Sequence, residues 1–255
     1  MEIALHNIKA NDWEFSTVLS SEDIIGITGA DYEEFLEILS LEKLPEGNIN
    51  INENEVTSEN YLEYYQQISF IKKEFTKMNY LNTVKEHMDY IINYYHLQIK
   101  NIEKKEKDSL KIVGLDETLL NRNITTLSKS EKKKVELAIG LLSNPDIIIL
   151  DDPFRFLDNK SRKRMIMVLR KLKEQFHKLI IIGTTDEDVL YQYTDKMLFL
   201  KNKRIFLEVG TEEGYERVDY LKRNGFAIPE RVLFTYKAIK KKKVNLKIYY
   251  IVLEI

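Results

Sequence analysis

Cysteine is absent from this chain of 255 residues, which excludes disulfide bonds and metal sites built on thiolate ligands. Glycine and proline are scarce, with 9 and 4 residues, so flexible linkers and low-complexity segments are not expected. No stretch approaches the roughly 20 apolar residues that a membrane-spanning helix requires. The length is sufficient for one large folded core, with or without an appendage.

Acidic charge is concentrated near the start of the chain. Residues 1–65 contain 15 Asp and Glu but only 2 Lys and Arg, although the net charge of the whole chain is −2. Such a split is typical either of a solvated acidic face or of an interaction surface, and the sequence leaves both interpretations open. Basic residues cluster at Lys237 and 240–243, but they lack an interleaved aromatic platform. We therefore expect no nucleic-acid partner.

Strands that alternate with helices predict an α/β fold with a mostly parallel sheet. Apolar runs at 146–150 and 179–182 are typical of parallel strands that are covered on both faces. A strand at 23–29 ends in a glycine turn and is followed by a helix at 32–39. The remaining predicted elements are two pairs of antiparallel strands, at 3–8 with 13–19 and at 197–200 with 204–209, and helices at 162–176 and 232–241.

A long helical segment is predicted between the strands, over residues 85–120. Apolar residues from Val84 to Tyr95 recur every three or four positions, as they do on the buried face of a helix. The Lys- and Glu-rich residues at 99–108 are expected to form a solvated helix face.

A second helix of this insertion is predicted to begin after Ser128. Glu131 follows three residues later, and this spacing is typical of a capping box, in which each side chain accepts a bond from the other residue's backbone N–H. The helix is expected to continue through Leu142.

Three motifs follow one another in the second half of the chain. They read Leu127-Ser128-Lys129-Ser130-Glu131, then Pro145 through the apolar run to Asp151-Asp152-Pro153, then Leu157-Asp158. In this order and at this spacing they resemble the signature loop, the Walker B strand and the D-loop of ABC-type ATPases. The resemblance implies a P-loop NTPase-like (RecA-like) parallel sheet, an antiparallel β lobe and an inserted helical subdomain at about 84–142. It also implies a division into an ABC ATPase-like domain at 1–210 and a C-terminal helical extension at 211–255.

The segment at the phosphate-binding position departs from that family. It reads Gly26-Ile27-Thr28-Gly29-Ala30-Asp31-Tyr32-Glu33-Glu34-Phe35-Leu36-Glu37. A working P-loop needs glycines whose N–H groups surround the phosphates, a Lys for their oxygens and a Ser or Thr for Mg²⁺. Here Gly26 and Gly29 keep the frame, but Tyr32 and Glu34 stand at the positions of the two later glycines. Phe35 stands at the Lys position and Leu36 at the hydroxyl position. The segment also contains four carboxylates, at Asp31, Glu33, Glu34 and Glu37. Because these would repel a polyphosphate, we expect no tight nucleotide binding by this chain alone.

Other positions of the family's site are also changed. Lys73 stands at the Q-loop glutamine, and Thr185 at the switch histidine that would act on the γ-phosphate. Asp152 occupies the general-base position but is one methylene shorter than Glu, so its reach to water is poorer. Trp13 is the one aromatic placed to stack on adenine, although an aromatic residue in a strand is usually part of the core. By resemblance, the other site positions are Asp151 for Mg²⁺ if any nucleotide binds, and Ser128, Lys129, Ser130 and Asp158 for nucleotide contacts.

Within the ABC ATPases the chain is most similar to the energy-coupling-factor ATPases, which drive cobalt, nickel and vitamin uptake. The similarity rests on Thr83-Val84-Lys85-Glu86 and on Gly225-Phe226-Ala227-Ile228-Pro229-Glu230 before a helix. It implies a subunit that pairs with an active second ABC ATPase subunit and couples to a transmembrane subunit, and the changed motifs predict that this chain is catalytically impaired. The chain would then be cytoplasmic and peripheral at the inner face of the membrane through its partners.

Mg-ATP would bind, on this hypothesis, only at a composite site shared with the partner. Two alternatives stay open. One is an interaction or regulatory module without a transport role on the same fold, and the other is an active ATPase with unusual motifs.

Overall fold

The computed structural model describes residues 1–74 and 81–240, and these form two β-sheets with helices around them. A four-stranded antiparallel sheet has the order β2-β1-β4-β5, and a six-stranded sheet has the order β10-β9-β3-β8-β7-β6. Strands β1 to β10 are Glu2–Ala10, Trp13–Ser20, Ile24–Thr28, Glu46–Ile51, Asn54–Val56, Ile68–Ile71, Ile147–Asp151, Leu179–Gly183, Lys196–Lys201 and Arg204–Gly210. Helices α1 to α10 are Tyr32–Leu39, Tyr61–Tyr65, Val84–Tyr94, Ile102–Ile112, Lys129–Gly140, Asn159–Phe176, Glu187–Tyr193, Thr211–Glu216, Val218–Arg223 and Glu230–Lys240.

The six-stranded sheet is the centre of the molecule because both of its faces are covered. Its strands pair in parallel except for β10, which is antiparallel to β9. Successive residues of one strand belong to different hydrophobic cores, because their side chains alternate between the two faces of the sheet. Ile148 and Leu150 pack with the helical insertion and α6, whereas Ile147 and Ile149 pack with α1 and the four-stranded sheet. This arrangement confirms the predicted α/β class and explains the continuous apolar runs.

The predicted strands and the predicted helices at 32–39 and 162–176 are all present, with ends that differ by at most three residues. The sequence did not reveal β4, β5, α2 and β6, because residues 46–65 are rich in Asn and Glu and β6 has only four residues. The predicted helix over 85–120 is two helices, α3 and α4, followed by a short 3₁₀ segment.

The prediction of a solvated face over 99–108 is wrong for Glu106, whose side chain is fully buried. Lys85 on α3 lies 3.4 Å from its carboxylate and 2.9 Å from that of Asp89. Burial raises the pKa of Glu106. A charged residue at this position is tolerated because another helix supplies its partner, which helical periodicity does not reveal.

The predicted division at residue 210 stays a prediction, and residues 241–255 lie outside the described part of the chain. Tyr215 on α8 packs edge-on against Phe199 of β9, with ring centroids 5.5 Å apart. The start of the C-terminal segment therefore contributes to the same core as the main sheet. Within residues 1–74 and 81–240, none of the helices combines the length and the apolar character needed to cross a membrane.

A buried carboxyl, Glu187 at the start of α7, ties this C-terminal segment to the sheet. It accepts hydrogen bonds from Thr28 Oγ1 at 2.9 Å and from the Tyr215 hydroxyl. Burial raises the pKa of Glu187 from the ordinary 4.5 to about 7. The folded protein therefore keeps a proton on Glu187 at pH values where the unfolded chain has released it.

Glu187 should make the folded protein less stable as the pH rises. Between about pH 4.5 and 7 the folded state binds more protons, so the free energy of unfolding falls with pH and levels off above that range. Glu187→Gln keeps an acceptor but cannot titrate, and it should remove up to about 3 kcal/mol of this decrease. Urea unfolding at pH 5, 6, 7 and 8 measures how the free energy of unfolding changes with pH. Glu216→Gln, at an exposed position, should retain the full slope; equal slopes for the two variants would contradict the assignment.

Candidate functional site

The candidate site lies where the carboxyl ends of β3, β6, β7 and β8 meet at one edge of the sheet. Parallel strands bring the turns that follow them together, and ligand sites of α/β proteins are commonly found there. Asp152 N–H donates to the carbonyl of Gly183 at 2.8 Å, and Thr184 N–H donates to that of Ile27 at 3.1 Å. These bonds hold the ends of three strands in register around Asp151.

Asp151 has both carboxylate oxygens engaged by the protein itself. Oδ1 accepts a hydrogen bond from the Tyr32 hydroxyl at 3.1 Å, and Oδ2 accepts one from the backbone N–H of Lys73 at 3.2 Å. Burial raises the pKa of Asp151. A cation that approached this carboxylate would compete with two donors already in place.

Tyr32 is the first residue of α1, and its ring fills the space between the glycine turn and β8. A Cβ atom on Gly183 would lie only 2.8 Å from the Tyr32 ring and 2.6 Å from Leu36. Burial, followed by the charge of Asp151, raises the pKa of the Tyr32 hydroxyl, so this group remains a neutral donor. Tyr32, at a position where the resembled motif has glycine, is therefore part of the packed interior.

Phe35 and Leu36 are fully buried and point into the core. The Phe35 ring lies 5.1 Å from Trp13 and 4.8 Å from Phe15, centroid to centroid. Trp13 is itself 1% exposed, which places it in the same aromatic cluster. The side chains that stand at the Lys, hydroxyl and adenine positions of the resembled motif thus build the packing between α1 and the antiparallel sheet.

Backbone conformation and close packing explain why glycine occupies positions 26 and 29. Gly29 has a φ of 133°, which favours glycine. A Cβ atom at Gly29 would also lie 2.2 Å from the Leu200 carbonyl oxygen, and one at Gly26 would lie 2.4 Å from the Met197 sulfur. Close packing of β3 against β9 accounts for both residues.

The acidic first turn of α1 is neutralised by lysines from two other parts of the chain. Lys73 pairs with Glu33 at 2.7 Å. Lys203, in the turn between β9 and β10, pairs with Glu34 and lies 3.4 Å from Asp31. Hydrogen bonds from Lys73 and Lys203 lower the pKa of Glu33 and of Glu34, respectively. The sequence showed no cation within the turn because both lysines are distant along the chain.

Asp152 interacts with Thr184, a residue that the sequence analysis did not select. Its Oδ1 accepts a hydrogen bond from Thr184 Oγ1 at 3.0 Å. Thr185, at the position of the switch histidine, is exposed. The position of Thr184 directly after β8 is the signal that could have identified it. Within residues 1–74 and 81–240, no group of three or more His, Asp or Glu is arranged to hold a metal ion.

Ser128 and Asp158 cap two helices. The predicted capping box is present, since Glu131 N–H donates to Ser128 Oγ at 3.2 Å and Ser128 N–H donates to Glu131 Oε2 at 2.8 Å. Asp158 accepts from Ser161 N–H at 2.7 Å and starts α6 at Asn159, three residues earlier than predicted. Lys129 and Ser130 form the first turn of α5.

Lys133 joins this helix to the site, although no sequence motif distinguishes it from its neighbours. Its side chain is 4% exposed, and its ammonium donates to the carbonyls of Lys72 at 2.6 Å, Lys73 at 3.1 Å and Asp151 at 3.4 Å. Glu136 lies 3.4 Å away on the next turn, and burial raises the pKa of Glu136 to about 7. Four acceptors around three N–H groups compensate for the burial of the charge.

Comparisons with known proteins agree with this architecture. The family model described as "ABC transporter" matches residues 24–155. An energy-coupling factor transporter ATP-binding protein, EcfA2 of Enterococcus faecalis, is 25% identical over 86% of this chain and 77% of its own length. The corresponding EcfA3 of Oenococcus oeni is 24% identical over 87% and 78%.

Solved structures show the same fold. CbiO1 from Clostridium perfringens, described as part of the ABC transporter complex cbiONQ, has a TM-score of 0.72 at 18% identity and covers 92% of this chain and 98% of its own. A dimeric bacterial ABC transporter cassette has a TM-score of 0.70 at 22% identity, covering 82% and 98%.

Replacement of Lys133 should destabilise the protein more than an ordinary charge loss does. Lys133→Met keeps most of the apolar stem but removes the donor from three carbonyls and the cation beside Glu136. We expect the free energy of unfolding at pH 7 to fall by about 2–4 kcal/mol, measured by urea denaturation. Lys134→Met, on the half-exposed side of the same helix, should change it by less than about 0.5 kcal/mol. Similar losses in both variants would mean that the contacts of Lys133 are not specific.

Proposed function

Since the chain belongs to the ABC transporter family, we propose that it is a catalytically impaired cassette of an energy-coupling-factor-type transporter. It works as one half of a heterodimer with an active ATPase subunit. The proposal rests on one hydrogen bond. The Tyr32 hydroxyl donates to Asp151 at 3.1 Å and so occupies the carboxylate that would face Mg²⁺ in this family.

The glycine turn does not fit a magnesium triphosphate. Binding a magnesium triphosphate at such a turn requires a free carboxylate for the metal, a free cation for the phosphates and open space along the turn. Asp151 is engaged on both oxygens, and Lys73 and Lys203 are engaged by carboxylates of α1. The Tyr32 ring fills the space beside β8. These contacts support a turn that is complete without a ligand.

The residues at the catalytic positions of the family also argue against hydrolysis by this chain. Asp152 carries the short carboxylate of the general-base position and accepts a hydrogen bond from Thr184. Thr185 has no basic or cationic group to offer a γ-phosphate. We derive no hydrolytic step at this edge of the sheet.

The Ser128 end of α5 is the surface that we assign to the partner cassette. A helix N-terminus presents free N–H groups and a partial positive charge, and α5 has twelve residues. The partner would supply Lys, Mg²⁺ and the catalytic Glu, while this chain supplies Ser128 and Lys129. One of the solved structures with this fold is described as dimeric, and we propose that this chain and its partner pair head to tail. Mg-ATP is then held at one composite site.

The membrane subunit is proposed to dock where the helical insertion meets the main sheet. A cavity of about 310 Å³ lies there, between edge strand β6 and helices α3 and α5. Its lining is mixed, with Tyr65, Tyr95 and Ile91 beside Glu42 and Lys72. Such a mixed lining could pack against the apolar face of a partner helix and pair with its polar groups. Through such partners the chain would lie at the cytoplasmic face of the membrane.

The isolated chain should neither bind nor hydrolyse Mg-ATP. Calorimetric titration up to about 1 mM is expected to show no saturable binding, and phosphate release should stay at background, because the turn is already satisfied internally. Turnover near 1 s⁻¹, which is within the ordinary range for enzymes, would support the alternative of an active ATPase. That turnover would have to be lost in Asp151→Asn and kept in Asp108→Asn, at an exposed position of α4.

Heterodimer function is tested by Ser128→Asp in the complex that co-purifies with the tagged chain. Asp caps a helix as well as Ser does, so α5 should remain intact, but its charge would face the partner's phosphates. The ATPase activity of the complex should fall by about tenfold or more at an unchanged melting temperature. Ser58→Asp adds the same charge at an exposed distant position and should leave the activity unchanged. Equal activities of all three proteins would favour a module that does not share a nucleotide site.

A further inference from the structure

A cleft of about 380 Å³ lies between helix α10 and the body of the protein. Its walls come from α7, α8, α9 and α10, and its lining residues fall between Tyr191 and Ile239, outside all the motifs of the family. Helices normally pack so closely that few voids exceed the size of a water molecule. The volume of this cleft is instead within the range of roughly 300–1,000 Å³ that small-molecule sites occupy.

Helix α10 is held over this cleft by a small number of polar contacts, and none of its residues is buried. The N–H of Glu230, at its start, donates to Asp188 Oδ1 at 2.9 Å. The Tyr236 hydroxyl donates to Asp219 Oδ1 at 2.6 Å. A ligand in the cleft would therefore add contacts to a helix that has few of its own.

The inner wall of the cleft is aromatic and aliphatic. The Tyr191 and Tyr215 rings meet edge to face, with centroids 5.7 Å apart, and Val218 is buried beside them. The Tyr215 hydroxyl is already bonded to Glu187, so this residue offers the cleft its ring rather than its hydroxyl. Such a wall suits an apolar or aromatic group of a ligand.

Charges of both signs line the same cleft from different helices. Arg231 is on α10, whereas Glu212 and Glu216 are on α8. Within residues 1–74 and 81–240, none of these three side chains forms an ion pair. Other charges on α8 and α9 are paired, since Arg217 lies against Glu213 and Lys240 lies 3.4 Å from Asp219. The cleft thus presents one unpaired cation and two unpaired carboxylates around an apolar wall.

We propose that this cleft is an effector site for a free amino acid with a large apolar or aromatic side chain. The Arg231 guanidinium binds the α-carboxylate, because its planar donors match a carboxylate. Glu212 and Glu216 accept hydrogen bonds from the α-ammonium, and the side chain packs on the tyrosine rings. A zwitterion compensates both signs of charge at once, which a simple anion or cation does not. The bound ligand joins α10 to α8 and so fixes the C-terminal helix.

The test is calorimetric titration of the full chain with four small molecules. L-phenylalanine and L-leucine are the amino acid probes, and at least one of them should bind saturably. Phenethylamine lacks the carboxylate of phenylalanine, and 3-phenylpropionate lacks its ammonium. Each of these two analogues should bind about tenfold more weakly than L-phenylalanine, because one charged contact is lost.

Matched variants assign each charge of the ligand to its partner. Arg231→Gln should weaken the binding of the amino acid by about tenfold but leave phenethylamine unaffected, since that molecule has no carboxylate. The double variant Glu212→Gln/Glu216→Gln should weaken the amino acid but not 3-phenylpropionate. Arg170→Gln, at an exposed position of α6, is the matched control and should bind as the wild type does. All these positions are exposed, so the melting temperatures should change little.

Amide hydrogen exchange supplies a second readout that does not depend on heat. A saturating amino acid should slow exchange across residues 230–240 in the wild type and in Arg170→Gln, but not in Arg231→Gln. The effector site is overturned if neither amino acid binds up to about 10 mM, or if phenethylamine binds as tightly as L-phenylalanine. It is also overturned if Arg170→Gln weakens binding as much as Arg231→Gln does. These outcomes are independent of the heterodimer, because the variants leave the motifs of the family unchanged.

Discussion

The buried ammonium of Lys133 is the contact on which the relation between the helical insertion and the sheet depends. Taking a lysine out of water costs several kcal/mol unless hydrogen bonds replace the lost hydration. The replacement comes from backbone carbonyls after β6 and at the end of β7, so α5 can satisfy Lys133 in only one position. That position fixes the Ser128 end of α5 beside the β7–α6 turn, and it thereby brings Lys129 over Phe156.

Around Asp151, residues of the chain itself make the hydrogen bonds and ion pairs that a bound ligand would otherwise make. A phenol and a backbone N–H satisfy the carboxylate, and lysines from distant turns satisfy the acidic start of α1. Acidic residues in the first turn also interact favourably with the helix dipole. The charges that appear incompatible with a phosphate site are thus stable in the folded protein, because they meet intramolecular cations and a helix N-terminus.

The sequence predicted what depends on neighbouring residues and missed what depends on distant ones. Periodicity identified most strands and helices, and the Ser128 capping box was predicted from a spacing of three. Tyr32 and Asp151 are separated by 119 residues, and Lys203 and Glu34 by 169, so no local pattern links them. The family resemblance assigned Asp151, Asp152 and Lys73 to positions of one site, but it could not show that their partners come from within the chain. For the same reason, nothing in the run of lysines at 132–134 distinguishes Lys133 from a surface lysine.

The two regions that the family resemblance connects with phosphate have opposite electrostatic character here. At the glycine turn, carboxylates and lysines of this chain neutralise one another, and the Tyr32 ring fills the remaining space. At the start of α5, Lys129 and Arg155 instead lie against the exposed Phe156 ring, beside a cavity whose lining includes both lysines and glutamates. An anion would gain little at the glycine turn, because it would have to displace the internal partners there. In the head-to-tail pair that we propose, the glycine turn would face the partner's signature helix and the start of α5 would face the partner's nucleotide. This asymmetry within one chain is the physical basis for expecting one working site in the pair rather than two.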